Sequence, residues 1–128
     1  MAVNLALKIL VVDDYTTIRR ITRNTLTQLG FSDIVEATDG SSALGTLREQ
    51  RIGLVLSDWV MEPMTGLALL RAMRADAKLA GIPFVMLTSG SHQEDPAVAK
   101  EAGAGALLVK PFSTASLKQA LTSVLGPF

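Results

Sequence analysis

Lys8-Ile9-Leu10-Val11-Val12-Asp13-Asp14 decides the fold: an unbroken apolar run of strand length that stops at two carboxylates. A strand apolar at every position must be covered on both faces, as in a parallel sheet between two layers of helices. The pattern returns three times. Leu54-Val55-Leu56 stops at Ser57-Asp58, Pro83-Phe84-Val85-Met86-Leu87 at Thr88-Ser89, and Ala106-Leu107-Leu108-Val109 at Lys110-Pro111. Asp33-Ile34-Val35-Glu36-Ala37 alternates instead and reads as an edge strand. Strands are expected over 8–13, 33–37, 53–58, 82–88 and 105–109.

Helical patterns fill the gaps. The first, over roughly 15–29, is expected to bury Ile18, Ile21, Thr25 and Leu29 and to close at Gly30. The second, about 40–50, offers Ala43, Leu44 and Leu47; the third follows Thr65-Gly66 and offers Leu69, Leu70 and Met73. The fourth is expected to begin near Ser91, since Ser91 and Glu94 have capping-box spacing. It offers mainly alanines and Val98, so its hold on the sheet should be weak and its mobility high. The fifth places Leu117, Ala120, Leu121, Val124 and Leu125 on one face, with Ser113 as N-cap.

Five βα units in series imply a doubly wound, flavodoxin-like (βα)5 sheet in three α/β/α layers, strand order 2-1-3-4-5, with residues 1–128 forming a single domain. Carboxyl ends of parallel strands share one edge, so Asp13, Asp14 and Asp58 meet where the strand order reverses. Thr88 and Lys110 lie along the same edge.

Composition narrows the function. The chain has 128 residues, 48% hydrophobic and 19% charged, which suits one globular domain able to bury a core unaided. Twelve basic residues balance twelve acidic ones, so the basic excess of a nucleic-acid binder is missing. The absence of cysteine excludes disulfides, thiolate metal sites and cysteine nucleophiles. The apolar start lacks a charged n-region and a cleavage site and reads as a first strand, and no stretch reaches membrane-spanning length. A cytoplasmic, monomeric protein with no membrane insertion is the expectation.

Three carboxylates within a few ångströms cannot all stay ionised without a compensating cation. With no His or Cys nearby, oxygen-only anionic ligation suits Mg²⁺, a hard ion that readily shares a phosphate. Lys110 across the crevice would neutralise charge on a transferring phosphoryl group, and the Thr88 hydroxyl could hydrogen-bond its oxygen. Each residue alone has a plainer reading. Asp13 and Asp14 could cap the first helix, Asp58 could serve a turn, and Lys110 could be a solvated strand end. His92 reads as a solvated loop residue, and Arg19, Arg20 and Arg23 as a solvated basic face. It is the combination that argues for chemistry.

These five residues, in this order and spacing, resemble the response-regulator receiver domains, and especially the single-domain chemotaxis regulators. Ile18-Arg19-Arg20-Ile21, Leu29-Gly30-Phe31, Asp58-Trp59, Met73-Arg74-Ala75-Asp76 and Lys110-Pro111-Phe112 add to the likeness, which spans Lys8 to Leu125. The resemblance implies phosphoryl transfer from a histidine kinase or phosphotransfer protein onto Asp58. Asp14 would ligate the Mg²⁺ directly and Asp13 through water, with the Val60 backbone carbonyl as a further ligand. Thr88 would be the switch hydroxyl, Lys110 the phosphate-binding lysine, and the bond before Pro111 cis. Such a domain is not an enzyme on separate substrates; it assists its own phosphorylation and dephosphorylation. Its output would be contact with a protein such as a flagellar switch component.

Several positions depart from the family pattern. Leu107 stands where an aromatic residue usually swings during switching, which leaves open a constitutive adaptor or phosphate sink without phosphorylation-dependent output. Pro63 comes one place late, with Glu62 before it, so a local change of backbone path is expected. Val60 and Gly90 occupy positions that flank the hydrolytic water's path, and neither can hydrogen-bond that water through its side chain. A long-lived acyl phosphate is the expectation. A flavin-phosphate protein on the same sheet is disfavoured, because Asp13-Asp14 would repel the phosphate. An aspartate-based phosphatase would need its nucleophile in the first-strand motif.

Overall fold

The computed structural model describes residues 4–128; residues 1–3, counted in the single-domain expectation, lie outside the described residues. Strands β1 (Lys8–Val12), β2 (Asp33–Ala37), β3 (Leu54–Asp58), β4 (Phe84–Thr88) and β5 (Ala106–Val109) alternate with helices. The helices are α1 (Thr16–Gln28), α2 (Gly40–Glu49), α3 (Gly66–Ala75), α4 (Pro96–Ala102) and α5 (Thr114–Leu125). All pairings are parallel and the order is β2-β1-β3-β4-β5, as the sequence implies. The first, third, fourth and fifth strands begin or end a residue or two inside the expected spans.

Two hydrophobic layers enclose the sheet because successive strand residues point to opposite faces. Leu10, Val12, Val55 and Met86 pack with α2 and α3 through Leu47, Leu69, Leu70 and Met73. Ile9, Val11, Leu56, Val85 and Leu87 pack with α1 and α5 through Leu26, Leu117 and Leu121. β3 and β4 are buried at every position, which is why their sequences do not alternate.

Helix α1 corrects the expected face. Ile21 is exposed, whereas Thr22 and Leu26 are the helix's buried residues. Thr22 tolerates burial because its hydroxyl donates to the Ile18 carbonyl at 2.9 Å. The helix does close at Gly30, whose φ of 105° lies in the left-handed region.

The start of α4 is the second correction. Asp95, not Ser91, is the N-cap, accepting from Ala97 N at 2.9 Å with Pro96 opening the helix. Ala99 is the helix's one buried residue. A buried leucine or valine contributes about 1.5–3 kcal/mol and an alanine far less, so α4 is held lightly, as its composition implies. Both Glu62–Pro63 and Lys110–Pro111 are cis: the second matches the resemblance, and the first gives form to the altered path after Asp58.

Candidate functional site

Backbone bonds beyond the strand ends align the edge where the sequence places its chemistry. Asp13 N donates to Ala37 O at 3.1 Å, Trp59 N to Leu87 O at 3.0 Å and Lys110 N to Thr88 O at 2.8 Å. The ladder thus continues just far enough to fix each polar residue against its neighbour strand. Gly66 sets the far wall: its N–H donates to Trp59 O at 2.9 Å, and a Cβ there would sit 2.1 Å from Asp58 O. Only glycine lets α3 begin this close to the end of β3.

Asp13, Asp14 and Asp58 converge as expected, each offering a carboxylate oxygen within 4.8 Å of the others. Asp13 is fully buried and Asp58 nearly so, while Asp14 is exposed. Lys110 Nζ donates to Asp58 Oδ1 at 2.7 Å and lies 3.9 Å from Asp13 Oδ2. Trp59 N also donates to Asp58 Oδ1, at 2.9 Å, and Tyr15 N to Asp13 Oδ1, at 2.9 Å. Asp13 Oδ2 is buried with no hydrogen-bond partner among the described residues.

Burial is the largest influence on both buried acids and pushes their carboxyls above the ordinary value. For Asp58 the Lys110 ammonium is the main opposing force; for Asp13 it is the Tyr15 amide, with Asp58 adding repulsion. The Lys110 ammonium thus reaches Asp58 and Asp13 of a three-acid cluster, and among the described residues a buried Asp13 oxygen still lacks a hydrogen-bond partner. Hard, oxygen-rich and under-compensated, this donor set fits a small divalent cation.

Thr88 is buried at the same edge; its Oγ1 accepts from Gly90 N at 3.0 Å. Beside it opens a cleft of about 400 Å³, lined among others by Thr88, Glu94, Leu107 and Val109. Leu107, half-buried, leaves this space unfilled. Val60 is 62% exposed beside the acids. His92 is exposed, as expected.

Two features of the surroundings escape a linear reading. Arg19 is no solvated residue: Nη1 donates to the Asp13 carbonyl at 2.7 Å and Nε to Glu36 at 3.1 Å, so α1 is tied to the acidic loop. Arg23 Nε pairs with Glu36 at 3.0 Å without hydrogen-bond geometry, and its Nη2 donates to Ile34 O at 2.7 Å. Of the three arginines, Arg20 remains exposed. An acid on the alternating edge strand opposite these arginines was the available signal. Glu94 is the other feature. It is buried and bonded to the loop before it rather than capping a helix.

The response regulator receiver domain family matches residues 9–122. The chain is 41% identical over 118 residues to the chemotaxis protein CheY of Pseudomonas aeruginosa, covering 92% of this chain and 95% of that one. It superposes on the chemotaxis response regulator CheY4 of Vibrio cholerae with a TM-score of 0.85 at 34% identity, covering 94% and 99% of the two chains. A receiver domain from a Pseudomonas aeruginosa sensor histidine kinase, solved with magnesium coordinated in its active site cleft, gives 0.84 at 27% identity over 94% and 98%. The chain belongs to the response-regulator receiver domains. It is thereby a two-component signalling domain with chemotaxis proteins among its relatives, in a family that typically binds Mg²⁺.

Proposed function

We propose that this domain accepts a phosphoryl group on Asp58 from a histidine kinase or phosphotransfer protein, with Mg²⁺ held by Asp13, Asp14, Asp58 and the Val60 carbonyl. The observation that carries the reading is the Lys110–Asp58 contact inside an acid cluster whose buried Asp13 Oδ2 has no partner. Bound there, the cation would neutralise the acids and the charge spreading over the transferring oxygens.

The chain's own residues account for the rest. An Asp58 carboxylate oxygen attacks the phosphorus of a phosphohistidine; the O–P bond forms as the N–P bond breaks, and the electron pair leaves with the imidazole. Trp59 N–H, bonded to Asp58 Oδ1, fixes the carboxylate's orientation. The Lys110 ammonium passes from Asp58 to an oxygen of the new phosphoryl group, keeping its charge compensated. The Thr88 hydroxyl donates to a second oxygen. The β4–α4 loop follows Thr88, and lightly held α4 follows the loop, so the α4–β5–α5 surface changes its affinity for a protein target. A partner responds only if it binds the two surface states unequally.

The chemotaxis relatives favour a flagellar switch component as that target and a cytoplasmic, single-domain, monomeric mode of action. Among the described residues no helix is long and apolar enough to cross a membrane. Leu107 supports a second reading: with no ring to fill the cleft beside Thr88, the domain would serve as an adaptor or phosphate sink. Target affinity measured with and without a beryllium fluoride mimic separates the two, since the sink shows no difference.

Trp59 is buried beside the site and is the chain's single tryptophan, so its fluorescence reports directly. Titration with Mg²⁺ and then with acetyl phosphate should give two saturable responses, both lost in Asp58→Asn. Equal responses in that variant would refute the assignment.

A further inference from the structure

Asp13 is held at every polar atom but one. Its N–H donates to Ala37 O at 3.1 Å, and its Oδ1 accepts from Tyr15 N at 2.9 Å. Its carbonyl accepts from Arg19 Nη1 at 2.7 Å. Only Oδ2 has no hydrogen-bond partner among the described residues, and it lies 3.9 Å from the Lys110 amine that Asp58 also holds. The first two bonds come from the sheet ladder and from the turn after β1. The third reaches across from α1, and so it depends on where a long side chain is kept.

Glu36 keeps it there. In the parallel register Glu36 stands beside Val11, which belongs to the layer packed with α1 and α5. Its carboxylate therefore rises on the face that α1 covers. Oε1 accepts from Arg19 Nε at 3.1 Å, and Oε2 lies 3.0 Å from Arg23 Nε, which braces the acid from its other side. Arg19 Nη2 donates to Thr16 Oγ1 at 3.3 Å. A planar guanidinium fixed at Nε and Nη2 has little freedom left at Nη1. The Arg19 side chain is only 13% exposed, so solvent does little to loosen it.

We propose that Arg19, locked by Glu36, is a positioning residue for the metal: it fixes the Asp13 backbone and thereby the direction in which Oδ2 is offered. This rests on the reading that Asp13, Asp14 and Asp58 hold Mg²⁺. Mg²⁺ demands near-ideal octahedral geometry, whereas Ca²⁺ accepts a looser shell. A loop held at Asp13 favours Mg²⁺, and a loop released there loses that preference.

The test measures Mg²⁺ affinity by Trp59 fluorescence and Ca²⁺ affinity by competition. Arg19→Met keeps an apolar stem and removes the donors. Mg²⁺ affinity should fall roughly tenfold, the low end for partners that orient metal ligands. Ca²⁺ affinity should fall by less than about threefold, so the preference for Mg²⁺ narrows. Glu36→Leu removes both acceptors and should weaken Mg²⁺ by roughly three- to tenfold. In the Arg19→Met background the same Glu36 change should alter Mg²⁺ affinity by less than about twofold, because Glu36 acts through Arg19. Charge alone gives opposite signs: losing the Arg19 cation would tighten Mg²⁺, and losing the Glu36 anion would weaken it. Opposite signs therefore overturn the proposal. Equal weakening of both ions, the mark of a merely structural role, overturns it too.

If Arg19→Met fails to fold, Arg19→Lys decides, since it keeps the charge but lacks the fork that spans Asp13 O and Glu36 together. Its Mg²⁺ affinity should fall by at least about threefold with Ca²⁺ little changed; native Mg²⁺ affinity in that variant rejects the role. Hydrogen exchange gives a readout without metal. The Tyr15 amide, bonded to Asp13 Oδ1, should exchange faster in either Arg19 variant, and unchanged exchange counts against the proposal. Absence of any Mg²⁺ response in the unmodified protein defeats the metal reading and this inference with it. A normal response there, with native affinities in the Arg19 and Glu36 variants, defeats the inference alone.

Discussion

Lys110 Nζ stands 2.7 Å from Asp58 Oδ1, although 52 residues separate the two in the chain. Nothing local to either residue brings this about. The contact exists because β3 and β5 flank β4 in parallel, and because each polar residue lies at the carboxyl end of its strand. The amine thus compensates an acid that a divalent cation would otherwise claim.

Removing the amine should help the metal and harm the phosphoryl group. Lys110→Met leaves Asp58 uncompensated, so Mg²⁺ should bind tighter by roughly three- to tenfold, a partly screened charge–charge effect. Beryllium fluoride affinity should fall by at least about tenfold, the loss of one charge-assisted hydrogen bond. The metal-free variant should also be less stable by on the order of 3 kcal/mol, because a buried charge loses its partner. Fluorescence titration and urea unfolding measure all three quantities.

The raised carboxyls of Asp13 and Asp58 fix a sign for pH dependence. Between the unfolded value of 3.8 and the raised folded values, the folded state binds more protons than the unfolded state. These two groups therefore make the metal-free protein less stable as pH rises through that window, and the cost persists at neutral pH. Mg²⁺ competes with the same protons, so its affinity should weaken as pH falls into the window. Asp13→Asn should raise the metal-free melting temperature at neutral pH by roughly 3 °C and abolish the Mg²⁺ response. A lowered melting temperature would show that the acid stabilises the empty site.

Two glycines separate close approach from mere helix interior. Gly66→Ala places a methyl 2.1 Å from the Asp58 carbonyl, so it should cost about 2 kcal/mol or more and weaken Mg²⁺ binding. Gly45, exposed within α2, has nothing within 4 Å of an added Cβ. Gly45→Ala should stabilise by about 0.5–1 kcal/mol and leave the metal untouched. Chemical denaturation of the pair checks both signs.

Val60 lies exposed beside Asp58 and offers no side-chain hydrogen bond to an attacking water. Val60→Asn should shorten the phosphoryl lifetime by roughly three- to tenfold, the lower range of water-positioning effects. Gly90 suits the test less well, since its φ of 80° penalises any side chain there. Decay of the phosphorylated protein, followed by Trp59 fluorescence after removal of the donor, gives the rate; equal lifetimes would reject the role of Val60.

Strand runs and their terminal residues were legible because burial on both faces removes polar residues until the edge is reached, which isolates Asp13, Asp58, Thr88 and Lys110. The faces of α1 were not. Hydrophobicity favours burying Ile21, but Thr22 satisfies its own hydroxyl within the helix and takes the inward position, leaving Ile21 in solvent. Ser91 and Glu94 carry capping spacing, yet tertiary burial draws Glu94 toward Ser89, and Asp95-Pro96 start the helix instead. Glu36 signalled a partner for Arg19, but the tie from Arg19 to the site was unreadable because it runs through the carbonyl of Asp13, a group every residue possesses.

The most direct measurement is chemical. The protein is incubated with acetyl phosphate, with and without Mg²⁺, then reduced with borohydride, digested and mapped by mass spectrometry. A single Mg²⁺-dependent modification on Asp58, absent from Asp58→Asn, is the expected result. Modification at another residue, or none while the protein remains folded and Mg²⁺ is bound, would contradict it.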